Sequence, residues 1–268
     1  MATGKRVLIL GGTGCVGRAL ARVWPAEVPV LWQYRPGAAR PDGESLCWDM
    51  LAEPAPDLSD IAGIVQLAGG TGAAALAVTT PLAEAACDLG ARLSVPVLVA
   101  SSQAVYGAAS GALAEDAPCD PHTDYGRAKL AMERAVAPRA LCLRIGNVAG
   151  CDMLLRNAAR GRVVLDRLAG GGAPARAYIG PVELARALIA LIGQGGGTGV
   201  LNLAQPGLVG MQDLLAAAGC DWDWREAGAG VLPALALDLG ALAARLPLLP
   251  ATPDGLVAQA RAAGWAPA

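Results

Sequence analysis

A chain of 268 residues with 54% of them hydrophobic can bury a large core, and it reads as one globular unit or a domain with a small subdomain. Its net charge of −2 excludes a general field for drawing nucleic acid or an anionic membrane, so a small-molecule substrate, or another protein, is the expected partner. Seven cysteines contain no Cys-x-x-Cys pair and have only His122 to help them, so no metal site is expected and the thiols read as free in a reducing cytoplasm.

The first apolar run, "RVLIL", predicts a strand within a few residues of the start and leaves no room for a signal peptide. It runs into "GGTGCVG", which places Gly12, Gly14 and Gly17 in Gly-x-Gly-x-x-Gly register and Gly11, Gly14 and Gly17 in Gly-x-x-Gly-x-x-Gly register. The spacing alone is a weak signal in a glycine-rich chain. Its context is stronger, because bare backbone between a strand and a helix predicted over 15–24 lets a pyrophosphate approach amide donors at the positive helix end. The alternative is a structural turn. Gly11, Gly12, Thr13, Gly14, Cys15, Val16 and Gly17 are the residues such a loop offers a cofactor.

A second strand, "VPVLW", leads to Arg35 and Arg40, with no carboxylate between Glu27 and Asp42. A basic group there suits the 2′-phosphate of NADP and an acid suits the ribose of NAD, so NADP is favoured with NAD kept open. Arg35 is otherwise an ordinary loop arginine. Asp49 and Met50 in "CWDM" are placed to meet the adenine, and the strand "GIVQLAG" ends in Leu67, Ala68 and Gly69, small enough to let a cofactor pass. Glycines and Pro81 break the uncharged run from Ile61 to Ala83, which predicts no membrane span.

Helical patterns over 73–90 and 125–136 flank a strand, "VPVLVASS", that ends in Ser101 and Ser102. Tyr125 and Lys129 stand four positions apart, on one face of the second helix. An ammonium one turn away and the charge of an oxidised nicotinamide would both favour phenolate, fitting Tyr125 to move a proton while Ser102 holds the same substrate oxygen. The plain alternative is a solvated surface pair. "ALCLRIG" is the fifth strand. Beyond it the pattern predicts a helix in "GPVELARALIALI", a strand in "GVLNLA", a helix in "MQDLLAAAG", a loop over 168–176, and short helices with turns from 233 onward.

Strands alternating with helices predict an α/β fold, a Rossmann-type doubly wound parallel sheet with helices on both faces and a small carboxyl-terminal substrate subdomain. Residues 1–149, with 176–205 returning to them, are the expected dinucleotide-binding unit; 150–175 and 206–268 are the expected substrate-binding part.

Taken with "SSQAVYG", "PHTDYGRAK", "LRIGNVAG" and "RAYIGPVELARAL", the glycine loop and "QLAGG" make the chain resemble the extended short-chain dehydrogenase/reductase family, in its NAD(P)-dependent epimerase/dehydratase branch. That resemblance implies Ser102 as the substrate-orienting hydroxyl, Tyr125 as acid/base, and Lys129 as phenol activator and nicotinamide-ribose ligand. It also implies pairing of two copies through the 73–90 and 125–136 helices. Gln103, Asn147 and Arg176 complete the candidate substrate contacts, and nucleotide sugars are the implied substrate class. Asn147 reads equally as a turn residue, and Arg176, like Arg156, Arg160 and Arg162, as a helix-surface charge. Two departures bear on substrate. Ala75 stands where the family has asparagine, and Gly180, Pro181, Val182 and Glu183 replace His-Val-x-Asp. Trp222 and Trp224 read equally as core or as pocket walls, and His122 as an exposed loop residue. A carbonyl reductase using NADPH and a non-catalytic dinucleotide sensor remain as other functions.

Overall fold

A computed structural model describes residues 4–109 and 111–268; residues 1–3 of the expected 1–149 unit lie outside them. In chain order the first half supplies β1 (Arg6–Leu10), α1 (Cys15–Val23), β2 (Val30–Tyr34), β3 (Ser45–Cys47), β4 (Ile61–Gln66), α2 (Ala73–Ala77), α3 (Thr79–Leu93), β5 (Val97–Ser102) and β6 (Ala112–Leu113). It continues through α4 (Asp124–Val136), β7 (Leu141–Ile145), β8 (Asn147–Val148), α5 (Met153–Ala158), β9 (Val163–Arg167), β10 (Ala175–Ile179), α6 (Pro181–Gly193) and β11 (Gly199–Leu203). The remainder holds β12 (Leu208–Gly210), α7 (Met211–Ala218), β13 (Trp222–Glu226), β14 (Ala234–Leu237), α8 (Gly240–Ala243) and α9 (Pro253–Ala262).

Seven strands form one parallel sheet in the order β11-β7-β5-β4-β1-β2-β3. Successive side chains of a strand face opposite sides, so an all-apolar strand must be covered twice. In β1, Val7 and Ile9 pack with Leu20 of α1 and Leu184 and Leu188 of α6. Leu8 and Leu10 pack on the other side with Ala83 and Ala86 of α3 and Met132 and Val136 of α4. This is the expected doubly wound arrangement. Among the described residues, no helix is long and apolar enough to cross a membrane.

The helix expected over 73–90 is interrupted. Val78 sits at φ −100°, ψ 5°, and the Thr79 hydroxyl donates to the Ala75 carbonyl at 3.1 Å, a local bond that competes with helix continuation. Farther on, β12, β10, β14 and β6 make a second sheet, with β8 also pairing to β10, and β13 pairs with β9. β9, β10, β12, β13 and β14 go beyond the pattern, which had placed a loop up to residue 176 and only short helices after 233. They are short, and "WDWRE" of β13 alternates tryptophan with charge, a weak signal until β9 pairs with it. These elements surround their own core of Leu154, Tyr178, Leu214, Leu256 and Trp265.

Candidate active site

The glycine loop leaves the carboxyl end of β1, whose neighbours β4 and β2 diverge in chain order, a switch point where open parallel sheets bind ligands. Its glycines do different things. Gly11 has φ +93°, and a Cβ there would lie 2.6 Å from the Ala68 amide nitrogen; at Gly17 it would strike the Gly11 carbonyl. Gly14 has φ −67° and ψ 170°, open to any residue, and an added Cβ would meet nothing nearer than the Gly11 carbonyl at 3.4 Å. The polypeptide therefore does not itself require glycine at 14. The bare backbone instead leaves space at the start of α1, which has no side-chain cap, beside a cavity of about 630 Å3. Such a cradle fits a diphosphate.

Gly11, Thr13, Gly14, Arg35, Asp49, Met50, Leu67, Ala68 and Gly69 all line that cavity. Gly12 and Gly17 are buried beneath it, Val16 packs on the core, and Cys15 turns to a separate cleft. Asp49 spends one carboxylate oxygen on the amides of Leu51 and Ala52 at 3.0 and 3.2 Å. The sequence reading missed Gln33, which is 2% exposed. Its Oε1 accepts from the Gly11 amide at 2.9 Å while its Nε2 donates to the Trp48 carbonyl at 2.5 Å, so it braces the loop from below. A polar residue inside an apolar strand was the available signal.

Gly14→Ala should leave the fold intact or raise stability by about 0.4–1 kcal/mol, because it restrains the unfolded chain at a position alanine adopts freely. It should weaken dinucleotide binding at least about tenfold. Thermal melting and fluorescence titration check both; unchanged affinity would move the diphosphate away from this loop.

Ser102 closes β5, and its Oγ accepts from the Ala104 amide at 3.2 Å. The Thr123 hydroxyl caps α4 by accepting from the Gly126 amide at 3.0 Å, setting Tyr125 in the first turn. Tyr125 lines a cavity of about 540 Å3 with Thr71, Ala73 and Leu76, and the next residues of α2, Ala74 and Ala75, line the dinucleotide cavity. Lys129 lies one turn on, its Nζ 5.9 Å from the Tyr125 ring centroid and donating to the Ala100 carbonyl at 2.6 Å.

Here the electrostatics differ from expectation. Burial pushes the Tyr125 phenol above its usual 10, with the Ser102 hydrogen bond drawing it partly back. Burial likewise pulls Lys129 down to about 8, opposed by the neighbouring Cys142 and Glu133. The ammonium is turned to the Ala100 carbonyl, so desolvation outweighs it and the polypeptide alone holds the phenol protonated.

Beneath the pair lies a buried polar network. Glu133, one turn beyond Lys129 on the same helix face, is 3% exposed and accepts from Ser101 Oγ at 2.5 Å and from Arg144 Nη2 at 2.8 Å. Arg144 Nη1 also donates to the Tyr106 hydroxyl at 3.0 Å, which donates to Asn202 Oδ1 at 2.7 Å. This network ties α4 to β5, β7 and β11.

On the substrate side, Gln103 Nε2 donates to Asn147 Oδ1 at 3.2 Å, and Asn147 is paired in register with Tyr178 of β10. Arg176, two residues earlier on β10, belongs to a strand rather than a helix surface; it is half-buried, and burial pulls its pKa down. Arg162 is instead paired with Asp223 at 2.9 Å, and Arg156 and Arg160 are exposed. Trp222 and Trp224 meet edge to face at 6.1 Å and pack on the carboxyl-terminal core, and His122 is exposed. In the Gly180 to Glu183 segment, Gln205 accepts from the Gly180 amide at 2.9 Å, Gln259 accepts from the Glu183 amide at 3.0 Å, and Arg186 Nη1 donates to Glu183 Oε1 at 2.5 Å.

The model of the NAD dependent epimerase/dehydratase family matches residues 58–204. No curated protein sequence matches the chain. Solved structures of similar fold include MoeE5 in complex with UDP-glucuronic acid and NAD, 21% identical, with a TM-score of 0.76 over 96% of this chain and 98% of that one. UDP-glucose 4-epimerase from Brucella ovis in complex with NAD is 19% identical, with a TM-score of 0.77 over 96% and 97%. DesIV, a dTDP-glucose 4,6-dehydratase from Streptomyces venezuelae, is 18% identical, with a TM-score of 0.72 over 96% and 96%.

Proposed function

The chain belongs to the NAD dependent epimerase/dehydratase family, and from that premise we propose that it epimerises a carbinol carbon of a nucleotide sugar, with Tyr125 as the acid/base and NADP the preferred cofactor. The observation that carries the reading is that Tyr125, whose phenol is influenced by Ser102, lines a cavity that shares helix α2 with the cavity at the glycine loop.

Gly14 and the first turn of α1 would hold the cofactor's diphosphate, Arg35 its 2′-phosphate and Lys129 its nicotinamide ribose. When bound, NAD(P) supplies reversible two-electron oxidation of a carbinol carbon. Ser102 holds the substrate oxygen, and Tyr125 takes the proton from that oxygen and later returns it. Loss of water would need a further proton donor beside the substrate, and the side chains after Ser102 are Gln103 and Ala104, neither acidic. Epimerisation suits these residues better. We assign cofactor binding to 1–149 with 176–205, and substrate binding to 150–175 and 206–268; at the junction of the two, half-buried Arg176 would face the substrate's diphosphate. Pairing of two copies through α2, α3 and α4, and a cytoplasmic location suited to free thiols, complete the proposal.

Incubation with cofactor and a panel of nucleotide sugars, followed by proton NMR, tests the reading. Interconversion of epimers without net cofactor consumption supports it, net oxidation of NADPH makes the chain a reductase, and binding without turnover makes it a sensor. Arg35→Asp should weaken NADPH about tenfold or more and NADH little, measured by fluorescence titration. An equal loss for both would place the 2′-phosphate elsewhere.

A further inference from the structure

Cys15 is the first residue of α1, and Cys151 sits in the turn between β8 and α5. Though remote in sequence, both line one cleft of about 370 Å3, bounded also by Arg18, Arg22, Gly150 and Trp265, and each thiol is the largest influence on the other's ionisation. Each is partly exposed. The two sulfurs are unequal. The hydrogen bond from Cys151 lowers the Cys15 pKa despite burial, with Arg156 and Arg18 adding to the effect and Asp152 opposing it. Cys15 also stands at a helix amino terminus with no side-chain cap, where thiolate is favoured. The hydrogen bond to Cys15 and burial both raise Cys151. Neighbours in one cleft, the two thiols are thus unequal in acidity, the asymmetry of an attacking and a resolving cysteine.

The other thiols lack this arrangement. Burial pushes Cys142 up to about 12 and raises Cys87, Cys119 and Cys220, whereas Cys47 is exposed and serves as an unpartnered internal comparison.

We propose that Cys15 and Cys151 form a dithiol site that reacts with hydroperoxides and closes to a disulfide. The Cys15 sulfur attacks one peroxide oxygen, the O–O bond breaks, and the departing oxygen leaves as water after protonation. Cys151, giving up its proton, displaces the hydroxyl of the Cys15 sulfenic acid as a second water. Two thiols and one hydrogen peroxide become one disulfide and two waters, with two electrons passing from the sulfurs to the O–O bond. A small dithiol reduces the bridge back to two thiols by exchange, itself becoming the disulfide. The bridge ties the first turn of α1 to the chain entering α5. Neither thiol lines the dinucleotide cavity, so the oxidation can be followed without cofactor or substrate.

Graded hydrogen peroxide on the full chain, then alkylation and tryptic mass mapping, tests it, because residues 7–18 and 145–156 are separate peptides with one cysteine each. The expected product is those peptides linked, two hydrogens lighter than their sum and separated by dithiothreitol, at doses that leave Cys47 alkylatable. Cys151→Ser should leave a Cys15 sulfenic acid that dimedone traps, and Cys15→Ser should leave Cys151 reduced at the same dose. Alkylation of both at a dose that oxidises Cys47, or a Cys15 that overoxidises unlinked in the unmodified chain, would overturn the proposal. The unmodified chain decides the question even if a variant misfolds.

Discussion

Tyr125→Phe is expected to lower kcat about a hundred- to ten-thousand-fold, the range for removing a positioned general acid/base. Dinucleotide affinity and melting temperature should stay close to those of the unmodified chain. Tyr125 is not among the residues lining the dinucleotide cavity and its side chain is not part of the core, so loss of the hydroxyl withdraws a proton carrier without opening the core. Steady-state kinetics with NADPH titration separate the two effects, and turnover within threefold of the unmodified chain would remove Tyr125 from the chemistry. The pH profile adds a second reading. Because burial holds the phenol protonated in the polypeptide alone, rate should rise with pH as the phenol ionises, and that limb should vanish in the phenylalanine variant.

Glu133→Ala carries the largest expected effect on stability, a loss of about 3–5 kcal/mol, because it leaves a buried guanidinium without its carboxylate. Arg144 and Glu133 are 5% and 3% exposed, so water cannot replace the lost partner, and Ser101 loses its acceptor as well. Replacing both members with methionine should recover much of the loss, since an apolar pair of similar volume carries no desolvation cost. Urea denaturation of the singles and the double measures this; a single-variant loss under about 1 kcal/mol would class the pair with exposed ones. Glu133 shares a helix face with Tyr125 and Lys129, so its anchoring also sets how α4 presents the phenol, and surviving Glu133→Ala protein should turn over more slowly.

Much of the first half was legible from the chain because its signals are local. "RVLIL" is apolar at every position, which only a strand covered on both faces tolerates, and β1 is that strand. The glycine loop and the Tyr-x-x-x-Lys spacing also act within a turn or two, and Ser102, Tyr125 and Lys129 do come together in the fold. The second half was less legible. β9 and β13 are five residues each and become a sheet only by pairing across a long stretch of chain. The direction of the Tyr125 shift was also hidden, since desolvation depends on everything that covers a side chain rather than on its neighbours in sequence.

By itself the sequence determined the alternation of strand and helix, the bare backbone at Gly14 and the common helix face of Tyr125 and Lys129, because strand and helix periods are properties of neighbouring residues. Only the tertiary structure decided that Gln33 braces the loop, that Arg144 meets Glu133, and that Cys15 shares a cleft with Cys151. Each of those contacts joins different elements of the fold, and what a buried polar group or thiol does is set by the partner that packing delivers to it.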